Sequence, residues 1–454
     1  MESIVGRISR MVADGLLKPG ERVASVRQAA RDNAVSKNTM ADAYDRLVAL
    51  AVLEGRPGSG YYVTAPVPSP AARPPPHVTE ALDLVSLLRE QLDQRHAIRP
   101  GDGRPPTSWM EDSELGAQFG RIRLPGGARG VEDGYGNSWG YLPLRERICL
   151  SLGERAIRCG PEQVLLTLGA NHALDLITRH LIEPGDTVFV DDPGYYPLFG
   201  KLRLAKARIV GVRREADGPD LDDLSAKLAQ HRPKLFFTQS LAHNPTGRSL
   251  SLSVAHGLLQ AAERHGFLIV EDDAFADLLS PSSPRLAALD QLQRVLYVGT
   301  FSKTLSASVR VGFVAAHPRL AEALCDIKLL TVVATPDHVE RFVYGLITRG
   351  HYLRHLRRLR NRIEMAMKKA LDDLNGIGLS VAPPRDGGFY LWAELPRNTS
   401  ELELCQDAAR HGIFLAPGSV FSPDRDASRR ALRINVAHAG HQDFLAFMRT
   451  AINR

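Results

Sequence analysis

The chain has 454 residues, 44% of them hydrophobic, and a net charge of +6. That length suits two or three domains with sizeable cores, and the charge is too mild to argue by itself for a nucleic-acid partner. Four cysteines (Cys149, Cys159, Cys325, Cys405) without a CxxC pair, no HExxH or paired Cys/His spacing, and no apolar run of about 18 residues argue against a disulfide framework, a metal site and a membrane span; a cytoplasmic protein with reduced thiols is expected.

In chain order, residues 1–64 predict three helices and a hairpin. The opening MESIVGRISRMVADGLL lacks the continuous apolar core of a signal peptide. SVRQAARDNAV has helical apolar spacing. In SKNTMADAYDRLVALAVL, Ser36 is a good N-cap, and Met40, Ala43, Tyr44, Leu47 and Leu50 keep the rhythm of one buried face. RPGSGYYV then places a turn ahead of a β-branched and aromatic strand. The run APVPSPAARPPP can be neither helix nor central strand, so residues 65–80 read as a proline-rich linker.

Residues 81–454 alternate short apolar runs (QVLLTL, DTVFVDD, ARIVGV, KLFFTQ, FLIVEDD, RVLYVGT) with helix-like stretches such as NHALDLITRHLI. This pattern predicts a mostly parallel sheet with helices on both faces, an α/β fold. Ligands of such sheets bind beyond the carboxyl ends of the strands. Further on, His351 and His355, set among Arg354, Arg357 and Arg358, read as a solvated helix face rather than a metal pair.

Five strand ends carry chemistry. They are GAN (169–171) opening a helix, PGYY (193–196), SLAHNPTG (240–247), EDDAF (271–275) and GTFSK (299–303). A helix N-terminus at Ala170 and Asn171 presents free N–H groups to a phosphate, to which Thr300, Ser302 and Arg310 add hydroxyls and a fixed positive charge. Tyr195 can stack on a heteroaromatic ring. Asp272 can keep a pyridine nitrogen protonated, and Lys303 can form a Schiff base with an aldehyde. One molecule has all these complements: pyridoxal 5'-phosphate. Asp273 is an alternative ring partner, with Asp272 favoured by its register. Tyr196 and Phe199 read as packing residues, Arg385 and Glu394 as surface charges.

Residues from about 130 to 440 resemble the fold-type I aminotransferases, through DGYGNSWGYLPLRERI, HNPTG, the lysine motif, PRDGGFYLWAEL, IFLAPGSVFS and ALRINVA in this order. The resemblance implies a smaller C-terminal subdomain. It implies Lys303 as the aldimine lysine, Asp272 on the pyridine nitrogen, Asn244 on the ring hydroxyl oxygen and Tyr195 stacked on the ring. It further implies Tyr135 reaching the partner subunit's phosphate in a homodimer, and Arg433 on an α-carboxylate. Phe275 departs from the family, which usually carries a tyrosine donor there. The nitrogen at Lys303 is therefore expected to hold its proton to higher pH than in a Phe275→Tyr variant. LSASVRVG also lacks the Pro-Gly often seen before the arginine.

Residues 1–64 resemble the winged helix-turn-helix of the GntR family. The resemblance implies that the helix at 36–50 enters the major groove of double-stranded DNA, with Lys37, Asn38 and Thr39 near base edges or phosphates. Arg27 would clamp a phosphate, and Ser59 and Gly60 lie in the wing. Nine basic against seven acidic residues leave this block only mildly positive. The whole resembles MocR-type regulators, which implies a dimeric transcription regulator with two DNA half-sites. It would sense an amino acid, an amine or pyridoxal phosphate itself. The rival expectation is a working aminotransferase with an appended DNA-binding domain.

Overall fold

The structure, a computed structural model, describes residues 2–64, 85–110, 136–424 and 430–452. The chain divides into two compact units, Met1–Pro74 and Pro75–Arg454. The predicted linker, 65–80, lies outside the described residues.

The first unit holds α1 (Glu2–Ala13), α2 (Val26–Asp32), α3 (Lys37–Ala49), β1 (Leu53–Arg56) and β2 (Gly60–Val63). Ser25 and Ser36 start α2 and α3 by the same device. Each hydroxyl accepts a first-turn N–H, from Gln28 at 3.3 Å and from Thr39 at 3.0 Å, so a donor that the helix cannot satisfy is paired. Between the two helices the chain turns through Ala34, at φ 51°. Met40, Ala43, Tyr44 and Leu47 of α3 are buried against Ile4, Ala29, Ala30, Leu53 and Val63. The Tyr44 hydroxyl donates to the Ala24 carbonyl (2.8 Å) and its ring meets Tyr61 edge-on at 5.0 Å. That pins α3 to both the chain before α2 and the hairpin.

The second unit runs through α4 (Val85–Asp93), α5 (Leu142–Gly153), β3 (Val164–Thr167), α6 (Ala170–Leu181), β4 (Thr187–Asp192), β5 (Arg208–Glu215), β6 (Gly218–Pro219), β7 (Pro233–Thr238), β8 (Leu268–Asp273), β9 (Val295–Thr300), β10 (Gly312–Ala315), α7 (His351–Gly376), β11 (Tyr390–Glu394), β12 (Ala416–Pro417) and β13 (Ala431–Asn435). One sheet is ordered β3-β10-β9-β8-β7-β4-β5-β6. The strands from β9 through β8, β7 and β4 to β5 are parallel, as expected. Phe236 and Phe237, neighbours on β7, fall into different apolar clusters because successive strand residues face opposite ways, so both faces of the sheet are covered.

Leu50, expected on the buried face of α3, is 56% exposed at the helix end, and two features of the second unit also depart from the sequence reading. Strand β10, too short to stand out, enters antiparallel between β3 and β9. It carries the chain from the Lys303 loop back against the start of α6. His355 is 1% exposed, on the core stripe of α7 with Tyr352, Leu356 and Leu359. The solvated-face expectation therefore fails for this histidine, although Arg354 and Arg357 beside it are exposed. Toward the C-terminus β11, β13 and β12 form a separate antiparallel sheet.

Candidate cofactor site

Asp272, at the end of β8, is 8% exposed, and burial pushes its carboxyl up to about 6. Its Oδ2 accepts from Gln239 Nε2 at 2.8 Å, while its Oδ1 is buried and has no hydrogen-bond partner. An orphaned carboxylate oxygen in such a place is costly, and a protonated ring nitrogen would satisfy it. Asp273 points to the other face of the sheet, where its Oδ2 is paired with Arg285 Nε (2.7 Å) and accepts from the Tyr297 hydroxyl (2.8 Å). It belongs to a structural ion pair, which leaves Asp272 facing the site.

Gln239, which sequence reasoning missed, ties the site together. Its Nε2 holds Asp272, and its Oε1 accepts the Asn244 N–H at 2.7 Å. Its own backbone carbonyl accepts from Arg214 (2.8 Å), and Arg214 is paired with Asp191 at 3.0 Å in a buried ion pair. Tyr195 lines one small cavity with Leu174, Gln239, His243 and Asp272. Burial, then the Asp272 charge, keeps the Tyr195 phenol protonated. Gln239→Leu strips a donor from a carboxylate, worth about 1.5–3 kcal/mol. Ten- to hundredfold weaker binding of pyridoxal phosphate is expected, measured by equilibrium dialysis.

The anion end is built around Gly169, whose φ is +80° and whose Cβ, if present, would stand 2.9 Å from Arg310 Nη2. A side chain there would be strained by that φ and would push the guanidinium aside. Ala170 and Asn171 are the first residues of α6, where helix geometry leaves N–H groups free. Arg310, at φ 49°, donates to the Leu168 carbonyl (2.7 Å) and to Ser302 Oγ (3.4 Å), and Thr300 Oγ1 donates to Ser302 Oγ at 3.1 Å. Gly312 makes the convergence possible: a Cβ there would stand 2.7 Å from the Gly169 backbone.

Lys303 follows β9 and is half-buried. Its Nζ donates to the Gly103 carbonyl at 2.5 Å. Desolvation, then the Arg433 charge, lowers the amine to about 8, a range in which an amine is a ready nucleophile at neutral pH. Arg433, on β13, is 2% exposed. Its Nη1 donates to Asn244 Oδ1 (3.0 Å) and its Nη2 to the Gly101 carbonyl (2.7 Å), with the Tyr390 and Phe421 rings each 5.0 Å from its guanidinium carbon. Gly101 and Gly103 lie in a turn, closed by the Asp102 N–H on the Arg99 carbonyl (3.0 Å), and in the bend after it, with no apolar run to mark them.

The structure thus brings Ala170, Asn171, Tyr195, Asn244, Asp272, Thr300, Ser302, Lys303, Arg310 and Arg433 to the carboxyl edge of the sheet. Tyr135 lies outside the described residues. In the first unit Lys37, Asn38 and Arg27 are exposed. Thr39 is half-buried against the Ser36 cap, Ser59 Oγ meets the Tyr62 hydroxyl at 2.6 Å, and Gly60 takes φ +108° in the hairpin.

An orphaned acid, a lysine with a lowered pKa and a cradle without a Cβ are what a pyridoxal-phosphate domain of the fold-type I aminotransferase kind requires, and here it accompanies a winged helix-turn-helix. The chain belongs to the aminotransferase class I and II family, whose model matches residues 103–446, and residues 1–63 match the gntR family of bacterial regulatory proteins. It is 30% identical over 429 residues to the probable rhizopine catabolism regulatory protein MocR of Rhizobium meliloti, covering 89% of this chain and 83% of that one. It is 32% identical to the 2-aminoadipate transaminase of Thermus thermophilus over 74% of this chain and 85% of the relative. The crystal structure of LysN, an α-aminoadipate aminotransferase of Thermus thermophilus complexed with N-(5'-phosphopyridoxyl)-L-leucine, superposes with a TM-score of 0.74. That likeness has 28% identity and covers 82% of this chain and 96% of that one. Pyridoxal phosphate is the cofactor of this domain, and DNA is the partner of the other. Among the described residues no helix is long and apolar enough to cross a membrane, and no group of His, Cys, Asp and Glu could hold a metal ion.

Proposed function

We propose that this protein is a pyridoxal-phosphate-dependent, DNA-binding transcription regulator of the MocR type that senses an amino acid or amine at Lys303. The observation that carries the reading is the pairing, on one chain, of a winged helix whose α3 N-terminus is exposed with a site that gathers Lys303, Arg433 and Asn244. When bound, pyridoxal phosphate supplies an aldehyde carbon open to amines and an electron-withdrawing ring. Asp272 holds the proton of the ring nitrogen, and Asn244 and Tyr195 orient the ring. Arg310, Thr300, Ser302 and the Ala170 and Asn171 amides anchor the phosphate. Lys303 would be the residue that holds the aldehyde carbon and that an effector amine competes with, and Arg433 would take the effector's carboxylate.

A dimer would present two winged helices to two half-sites. An effector acts by preferring one of two domain arrangements, and the difference is read at DNA. The second reading, an active aminotransferase, is favoured by the presence of Arg433 and by the likeness to transaminases. A mobility-shift titration of the protein's own promoter fragment against a panel of amino acids, with 2-oxo acids assayed in the same samples, separates the two. The regulator reading expects a changed DNA affinity without stoichiometric oxo acid. Oxo acid released at multiple turnovers with no change at DNA would overturn it.

A further inference from the structure

Tyr390 is 1% exposed and stands where β11 enters the site. Its hydroxyl donates to the Gly103 carbonyl at 2.9 Å, the same oxygen that accepts from Lys303 Nζ. The face of its ring carries Arg433, which in turn holds Asn244. On its other flank lies Phe275, 3% exposed, whose ring meets Tyr390 edge-on at 5.7 Å and Phe389 at 5.6 Å. Residue 275 therefore offers hydrocarbon where a hydroxyl was expected, and a hydroxyl stands one ring away, beside the lysine amine.

We infer that Tyr390 is the positioning residue that sets the proton affinity of the Lys303 nitrogen, supplying from β11 the phenolic donor that position 275 lacks. When Lys303 is covalently engaged, its nitrogen has a hydrogen for the Gly103 carbonyl only while it is protonated, and the phenol competes with it for that one oxygen. Burial pushes the Tyr390 phenol up to about 12, so it remains a donor across the working pH range. A donor to an oxygen that shares a proton with the lysine nitrogen weakens that sharing and lowers the nitrogen's pKa. Phe275 consequently leaves no deficit, and Phe275→Tyr alone is expected to shift little, in revision of the expectation from sequence.

The inference rests on pyridoxal phosphate binding at Lys303, and its test does not involve DNA or turnover. The full-length protein loaded with pyridoxal phosphate is titrated with pH while its visible absorption is followed. Tyr390→Phe, which keeps the ring and its packing, is expected to raise the midpoint by about one unit, a tenfold change in proton affinity. Adding Phe275→Tyr to that variant is expected to bring it back. An unchanged midpoint in Tyr390→Phe, together with a lowered one in Phe275→Tyr alone, would overturn the assignment and reduce Tyr390 to a packing residue. Should Tyr390→Phe fail to load, the pH dependence of reductive methylation of Lys303 in the cofactor-free proteins gives the second reading. There too the variant's amine is expected to be the more basic, and equal profiles count against the inference. A wild-type protein that takes up pyridoxal phosphate without any pH-dependent visible band overturns the covalent reading of Lys303 and this inference with it.

Discussion

Lys303→Ala is expected to abolish the visible band of the covalently held cofactor and to remove the effector's influence on DNA binding, while leaving the fold intact. The amine is half-buried and makes one hydrogen bond, to the Gly103 carbonyl, which keeps a second donor in the Tyr390 hydroxyl. Losing the lysine therefore leaves no orphaned acceptor, and the change in stability should stay within about 1 kcal/mol. The contacts at Arg310, Ser302 and Asp272 remain, so pyridoxal phosphate still binds, more weakly and without colour change. Three measurements on one preparation check this: the visible spectrum, the melting temperature and the promoter mobility shift with and without amino acid. An effector that shifts DNA affinity equally in wild type and Lys303→Ala would show that sensing does not pass through the lysine.

Asp272→Asn should act in opposite directions on the empty and the loaded protein. Burial, aided by the neighbouring Asp273 charge, raises the Asp272 carboxyl from 3.8 to about 6 in the folded state. A raised carboxyl pKa means that ionisation is penalised on folding. The penalty is absent below about pH 4, grows as pH rises toward 6 and is fully present above it. A shift of roughly two units corresponds to about 3 kcal/mol. Asparagine carries no charge and can still accept from Gln239 Nε2, so the cofactor-free variant should melt higher than wild type at pH 7 and equally at pH 4. With pyridoxal phosphate added the order reverses, because asparagine cannot hold a proton on the ring nitrogen and the cofactor's stabilising increment shrinks. Melting curves at both pH values, with and without cofactor, read the sign directly. A variant less stable than wild type when empty at pH 7 would show that Asp272 is not strained by its burial.

Much of this arrangement was legible before any coordinates. The strands ending in Thr167, Asp192, Thr238, Asp273 and Thr300 announced themselves because a parallel sheet buried on both faces writes continuous apolar runs, and the parallel topology then sends their ends to one edge. The helix-turn-helix was legible from the Ser36 cap and the four buried positions of α3. Gln239 was not, since a glutamine gains meaning only from what its two amide atoms face, here a carboxylate and a backbone N–H 33 and five residues away. Gly101 and Gly103 were missed for a related reason: their carbonyls do the work, and a carbonyl has no letter in the sequence. His355 was misread because arginines on either side conceal that a helix of period 3.6 turns that position inward.

The hydrogen bond between Arg433 and Asn244 joins the small C-terminal sheet to the loop after β7. In that pair an amide oxygen already occupies one arm of the guanidinium that a ligand's carboxylate would use. On the role proposed for Arg433, the resting protein would contain its own stand-in for the molecule it awaits, and recognition would become an exchange of oxygens rather than the filling of a void. Only the difference between a charged and a neutral acceptor is then available to move the domains. A bare amine brings no oxygen to trade, so it can reach Lys303 and still leave this clasp as it found it. On that logic, occupancy of the lysine and opening of the clasp are separable events, and the second, not the first, distinguishes an amino acid from any other amine.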